Sequence, residues 1–145
     1  MSYDTYNRRT ITLSFPAHDF GTGSDITQII QLPTVPTRDS GQTQKFNGAH
    51  VVGAICHTVT EDFAGSTSLS GVQVGDGTDA DKYYDSGLVL DATVDTTESI
   101  FMPDDGAAVD IASGAASVGS VTVTFIAAVG TPTGIATIDL IIDLF

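Results

Sequence analysis

Four aspartates, Asp76, Asp79, Asp81 and Asp85, crowd one short segment, and clustered carboxylates are what a hard divalent cation such as Ca2+ binds. The spacing is not that of an EF-hand, whose loop alternates ligands at every second residue and needs Gly at its sixth position and Glu at its twelfth. Asp and Gly also gather in turns for backbone reasons alone, since Asp bonds its own backbone two residues on and Gly accepts positive φ. The expectation is a turn that holds no cofactor. Asp76, Asp79 and Asp81 are the candidate ligands should calcium bind.

The other chemistry-bearing residues lead less far. Cys56 and His57 are neighbours, but adjacent strand residues point to opposite faces, so thiol and imidazole diverge instead of pairing as nucleophile and base. A buried Cys behaving as a small hydrophobe is expected. The Gly-x-Ser-x-Gly pentapeptide of a serine-hydrolase elbow does not occur. A cupin-type metal site needs two His on one strand face, whereas His50 and His57 face opposite ways and His18 sits apart, beside Asp19. With no nucleophile, base and oxyanion donor to assemble, the chain does not read as an enzyme. Tyr83 and Tyr84 suggest a stacking platform for sugars, yet such platforms also lean on Trp, which is absent. One Tyr packing inward and the other at an interface is the simpler expectation, which makes Tyr83, Tyr84 and Asp85 candidates for a subunit interface or rim.

These residues must be positioned by strands. At 145 residues the chain can bury about two thirds of its unfolded surface without metals or disulfides. Thr, Val, Ile and Gly dominate, and the acidic residues are Asp except for Glu61 and Glu98, a composition suited to strands and turns. The formal net charge of −13 repels phosphate backbones and anionic headgroups, so neither nucleic acid nor a membrane surface is an expected partner. A lone cysteine forms no intrachain disulfide, residues 1–20 carry no apolar signal segment, and the apolar run from Phe125 to Val129 is too short to span a bilayer. Synthesis and residence in a cytosol are expected.

Met1 to Arg9 reads as a polar arm, with the folded domain running from residue 10 to 145. Ile11, Leu13 and Phe15 alternate with Thr10, Thr12 and Ser14 in a first strand, which Pro16 to Gly23 should break. Ile26 to Leu32 is a second strand, followed by a loop over Pro33, Pro36 and Asp39 to Gln44. His50 to Thr60 is apolar or small on both faces and predicts a central strand covered on both sides, with a loop from Glu61 to Ser66. Leu69 to Val74, Leu88 to Leu90 and Thr97 to Met102 are further strands, and Gly106 to Gly119 is a short helix or an irregular loop. Val121, Val123 and Phe125, then Ile138, Leu140, Ile142 and Leu144, alternate so cleanly that the spacing predicts a hairpin ending on Phe145. About eight such strands predict an all-β fold, an antiparallel two-sheet β-sandwich of jelly-roll type.

Val72-Gln73-Val74-Gly75-Asp76 followed by Asp79-Ala80-Asp81-Lys82-Tyr83 resembles the strand-then-turn segment of small jelly-roll structural proteins of tailed bacteriophages, a family that includes head decoration, or cement, proteins. The resemblance covers Val72 to Gly87 closely. It extends more loosely to Gly53-Ala54-Ile55, Val121-Thr122-Val123 and Ile138-Asp139-Leu140. It implies a virion component made in the host cytoplasm, a homotrimer on the capsid surface that binds the major capsid protein and stabilises the head. A rigid β-domain without disulfides is compatible with that role. Arg8 and Arg9, two of the five basic residues, would then dock the arm on an acidic capsid surface. The alternative is a receptor- or glycan-binding module of a phage fibre or baseplate, using Tyr83, Tyr84 and the Asp turn.

Overall fold

Period-two alternation lets a strand bury one face and solvate the other, and two such sheets closing face to face satisfy all of these strands at once. The computed structural model has this architecture. It describes residues 9–32, 35–36, 43–44, 48–64, 70–91, 94, 99–106, 111 and 120–144. The strands are β1 (Arg9–Asp19), β2 (Ile26–Gln31), β3 (Val35–Pro36), β4 (Thr43–Gln44), β5 (Ala49–Ala64), β6 (Gly71–Gly75), β7 (Tyr84–Asp85), β8 (Ile100–Met102), β9 (Ser120–Ile126) and β10 (Thr133–Leu144). β3 and β4 pair with each other as a small hairpin. The other eight make two antiparallel four-stranded sheets, ordered β1-β10-β5-β8 and β2-β9-β6-β7.

Those orders have a simple logic. Apart from the small hairpin, the first strand pairs with the last (β1 with β10), the second with the second-last (β2 with β9), β5 with β8, and β6 with β7. This is one long antiparallel ribbon folded over on itself, the jelly-roll order. It overturns the expected C-terminal hairpin. β9 and β10 lie in different sheets, and the chain from Ala127 to Pro132 crosses from one to the other. In such a ribbon only the innermost pair, β6 and β7, is joined by a tight turn.

The alternating residues build the core as the pattern predicts. Ala136, Ile138, Leu140, Ile142 and Leu144 of β10 are fully buried, facing Val121, Val123 and Phe125 of β9 and Val72 and Val74 of β6. β5 shows why a simple pattern misreads it. Its inward residues are Ala49 and Val51, then Ala54 and Cys56, then Val59 and Phe63. Each jump coincides with a register shift against β10, at Ile141/Ile142 and between Ile135 and Thr137. A bulge adds one residue to one strand and so reverses which face later side chains occupy. The run therefore looks apolar on both faces although one face is solvated: Val52 is 36% exposed, and His50 and Thr58 are exposed. The central position of β5 is as expected, but the cover on both faces is not.

A bulge also explains why Pro16 fails to end β1. The register shifts between Phe15 and His18, Ala17 takes φ 48°, and β1 continues to Asp19. Proline is tolerated because β1 is an edge strand whose outward N–H groups need no partner. Beyond the bulge His18 turns inward and stacks on Phe125 at 3.9 Å between ring centroids, with Phe20 edge-on at 4.7 Å. Burial lowers its pKa below 6.5, against a smaller opposing pull from Asp19. A histidine whose folded pKa is depressed favours folding only while neutral, so its contribution is present above pH 6.5 and is lost as pH falls below it. Denaturant midpoints measured from pH 7 to pH 5 should therefore decline in the wild type with a slope that His18→Gln reduces; equal slopes would remove His18 from the pH response.

Other expectations shift by smaller amounts. β5 runs to Ala64 through the start of the expected loop at Glu61, Leu88 to Leu90 contributes one bridge, Ser70 to Leu90, and β8 begins at Ile100. Arg9, assigned to the arm, opens β1 opposite Leu144. The arm as far as Arg8, most of the stretch beyond Gly106, and Phe145 lie outside the described residues, although Ile111 bridges to Ala49. Among the described residues no helix is long and apolar enough to cross a membrane.

Candidate functional site

The Asp-rich segment is the β6–β7 connection, and its side chains are used to close it. Asp76 Oδ1 accepts the N–H groups of Thr78 (2.9 Å) and Asp79 (3.0 Å), and Lys82 Nζ donates to its Oδ2 at 2.8 Å. The Lys82 ammonium, followed by those two N–H groups, holds the carboxyl well below the usual carboxylate range. Asp79 and Asp81 are exposed. Among the described residues no three His, Cys, Asp or Glu side chains converge as a metal site would require. The turn folds tightly onto β6: a Cβ on Gly75 would overlap the Asp79 carbonyl oxygen, so only glycine fits there.

The two tyrosines separate as alternation demands. Tyr84 is fully buried, its hydroxyl donating to the Met102 carbonyl oxygen at 2.7 Å, and burial raises its pKa. It ties β7 in one sheet to β8 in the other and is a core residue, which corrects its assignment to an interface or rim. Tyr83 is half-buried against the core with the Lys82 ammonium 5.6 Å from its ring centroid. The pair therefore offers no two-ring platform. Asp85 is also turned to local use, accepting from Gly87 N–H at 2.8 Å and Gln73 Nε2 at 3.2 Å.

Beside this hairpin the structure forms a cavity of about 210 Å³ that the sequence did not reveal. Val89, Ile100, Phe101 and Pro103 line it, with Asp104 and Asp105 at its acidic side. Asp85 N–H donates to Asp104 Oδ1 (3.0 Å), and Asp105 N–H donates to the Asp85 carbonyl (2.7 Å), which fixes the two loops against each other. Phe101 is 52% exposed and lies over Gly53 of β5, whose missing side chain makes room for the ring. Leu88 and Val89 are 44% and 41% exposed. Large apolar groups left in water around a concavity mark a contact surface more often than scattered exposed residues do. The turn signal Pro103-Asp104-Asp105-Gly106 was visible in the sequence; its approach to Ser86 and Val89 depends on the sheet-to-sheet packing.

A second constellation joins residues far apart in the chain. His57 Nε2 contacts Asp139 Oδ2 at 2.8 Å, and its Nδ1 contacts the Thr58 hydroxyl at 2.8 Å. Ser14, opposite Asp139 in the ladder, and then His57 keep that carboxyl below its usual range. Hydroxyl, imidazole and carboxylate stand in sequence here, but on the outer face of the first sheet, and none of them lines the cavity. Their contacts amount to a cross-strand hydrogen-bonded pair tying β5 to β10. Cys56 points the other way, fully buried, with its thiol pushed up to about 11 by burial.

Comparisons of the chain with protein-family models, with curated proteins and with solved structures gave no match. The functional reading therefore rests on the residues and their geometry.

Proposed function

We propose that this protein is a structural subunit of a virion, a capsid decoration protein that binds the assembled major-capsid lattice as a homotrimer and stabilises the head. The observation that carries this reading is the place of the Val72–Gly87 segment, on which the resemblance to phage decoration proteins rests. It forms the innermost hairpin of a jelly roll, and its Asp and Tyr groups close the turn and join the sheets. A segment spent on rigidity suits a protein whose task is to hold a shape under load. The exposed apolar surface around Phe101 supplies area for subunit contact. Because a fold hosts many functions, the jelly roll alone would not support the reading.

The test is co-sedimentation with expanded capsids, combined with mass measurement in solution. A trimer that pellets with capsids, saturably, is the expected result. Failure to pellet with any capsid lattice, together with binding on a glycan array, would transfer the protein to the receptor-binding class. The burial of Tyr84 counts against that class.

A further inference from the structure

We propose that the cavity beside β8 receives the N-terminal residues of a neighbouring copy of this chain, Tyr6 and Arg8 foremost, so that copies join head to tail. The proposal rests on the reading of the chain as a self-associating subunit, and not on the identity of the capsid. It gives Arg8 a different destination from the capsid surface suggested by the resemblance.

Size and charge select the occupant. A cavity of about 150 Å³ can hold a benzene ring, so the roughly 210 Å³ beside Val89 and Phe101 suits one aromatic side chain and is small for a drug-sized ligand. Asp104 and Asp105 at its side favour a cation next to that ring. Two copies, each at −13, repel one another unless they meet where positive charge is concentrated. Lys82 is already held by Asp76. Arg8 lies close in sequence to two aromatic residues, Tyr3 and Tyr6. Aromatic and basic residues side by side are the chemistry that the cavity and its rim would recognise.

Topology then argues for a neighbour over the same molecule. β1 and β8 are the two opposite edges of one sheet. Both β1 and β5 run antiparallel to β10, and Arg9 lies level with Leu144 and Ala49, whereas β8 pairs with Ala54 to Cys56. Arg9 thus stands at the far edge of the sheet from its own cavity, which lies roughly 14 Å across the sheet and 17 Å along it. Tyr6 and Arg8 lie no more than three residues from Arg9, a span of at most about 11 Å, too short to bring them to that cavity. A contact between unlike edges of identical subunits is heterologous, and such contacts make rings when the rotation between copies closes and open filaments when it does not.

The experiment measures mass in solution against concentration for the wild type, a variant lacking residues 1–8, and Phe101→Asp, with circular dichroism checking that each is folded. The expected result is a closed oligomer for the wild type and monomers for both variants. In addition, a fluorescent peptide of residues 1–9 should bind the truncated protein, with affinity at least about tenfold weaker for truncated protein carrying Phe101→Asp and falling as salt rises. An oligomer that survives in both variants overturns the proposal while leaving the homotrimer in place. A monomeric wild type also overturns it, and co-sedimentation then decides separately whether the chain binds capsids.

Discussion

Gly75→Ala should lower stability by about 3 kcal/mol, the upper part of the range for overpacked sites. In most strands the same change helps, because glycine in a strand interior costs about 0.5–1 kcal/mol relative to alanine. Here the clash wins, since the added methyl group would overlap the Asp79 carbonyl oxygen and meet the Ala80 carbonyl carbon at 2.7 Å. Both are backbone atoms and cannot rotate aside. Relief requires the turn to lift off β6, which would break the Asp76 contacts with Thr78 and Asp79 and disturb the Asp76 N–H bond to the Asp79 carbonyl. A urea titration should show the midpoint falling with an unchanged slope. Gly77→Ala serves as the comparison: its φ of 86° strains alanine, but the nearest atom is the Thr122 hydroxyl at 3.4 Å. Its loss should be smaller, about 1 kcal/mol. If Gly75→Ala were neutral, the turn would not be packed on β6 as described.

Tyr84 should divide its effect between ring and hydroxyl. Tyr84→Phe keeps the ring and leaves the buried Met102 carbonyl oxygen without the hydroxyl that bonds it, for a loss of about 1–3 kcal/mol. Tyr84→Ala also empties a fully buried site between the sheets and should cost about 3–5 kcal/mol. The pair of variants separates a core role from a surface one. Were Tyr84 a contact residue, both changes would alter association and leave the denaturation midpoint unmoved. Absorbance titration offers a second check, because a phenol whose pKa is raised by burial should ionise only when alkali unfolds the protein.

The strands and their inward faces were legible wherever the ladder is regular. β10 shows strict alternation and buries every second residue from Gly134 to Leu144, and the alternating apolar residues of β9 and β6 are all buried too. Legibility failed at bulges. The extra residues near Ala17, Val52 and Thr58 reverse the facing of the side chains after them, and two of them sit at non-glycine positions with positive φ, which no residue type announces. The Asp-rich turn was read correctly as a turn, because Asx bonding is local and needs only the neighbouring backbone. The fate of Tyr84 was not readable, because it depends on Met102, which comes from the other sheet.

The sequence by itself determined the material of this protein: a strongly acidic all-β chain, its hydrophobic alternation, the position of its tight Asp turn and the burial of its single cysteine. These arise from short-range chemistry, the period of a strand and the dihedral needs of a turn. Tertiary structure alone decided which strands pair, so that β9 and β10 separate into opposite sheets. It also brought Val89, Phe101, Asp104 and Asp105 together into one acidic-rimmed apolar cavity. The reason is physical. Local pattern specifies which face of a strand is buried, but the partner that buries it is chosen by how the whole ribbon folds back on itself.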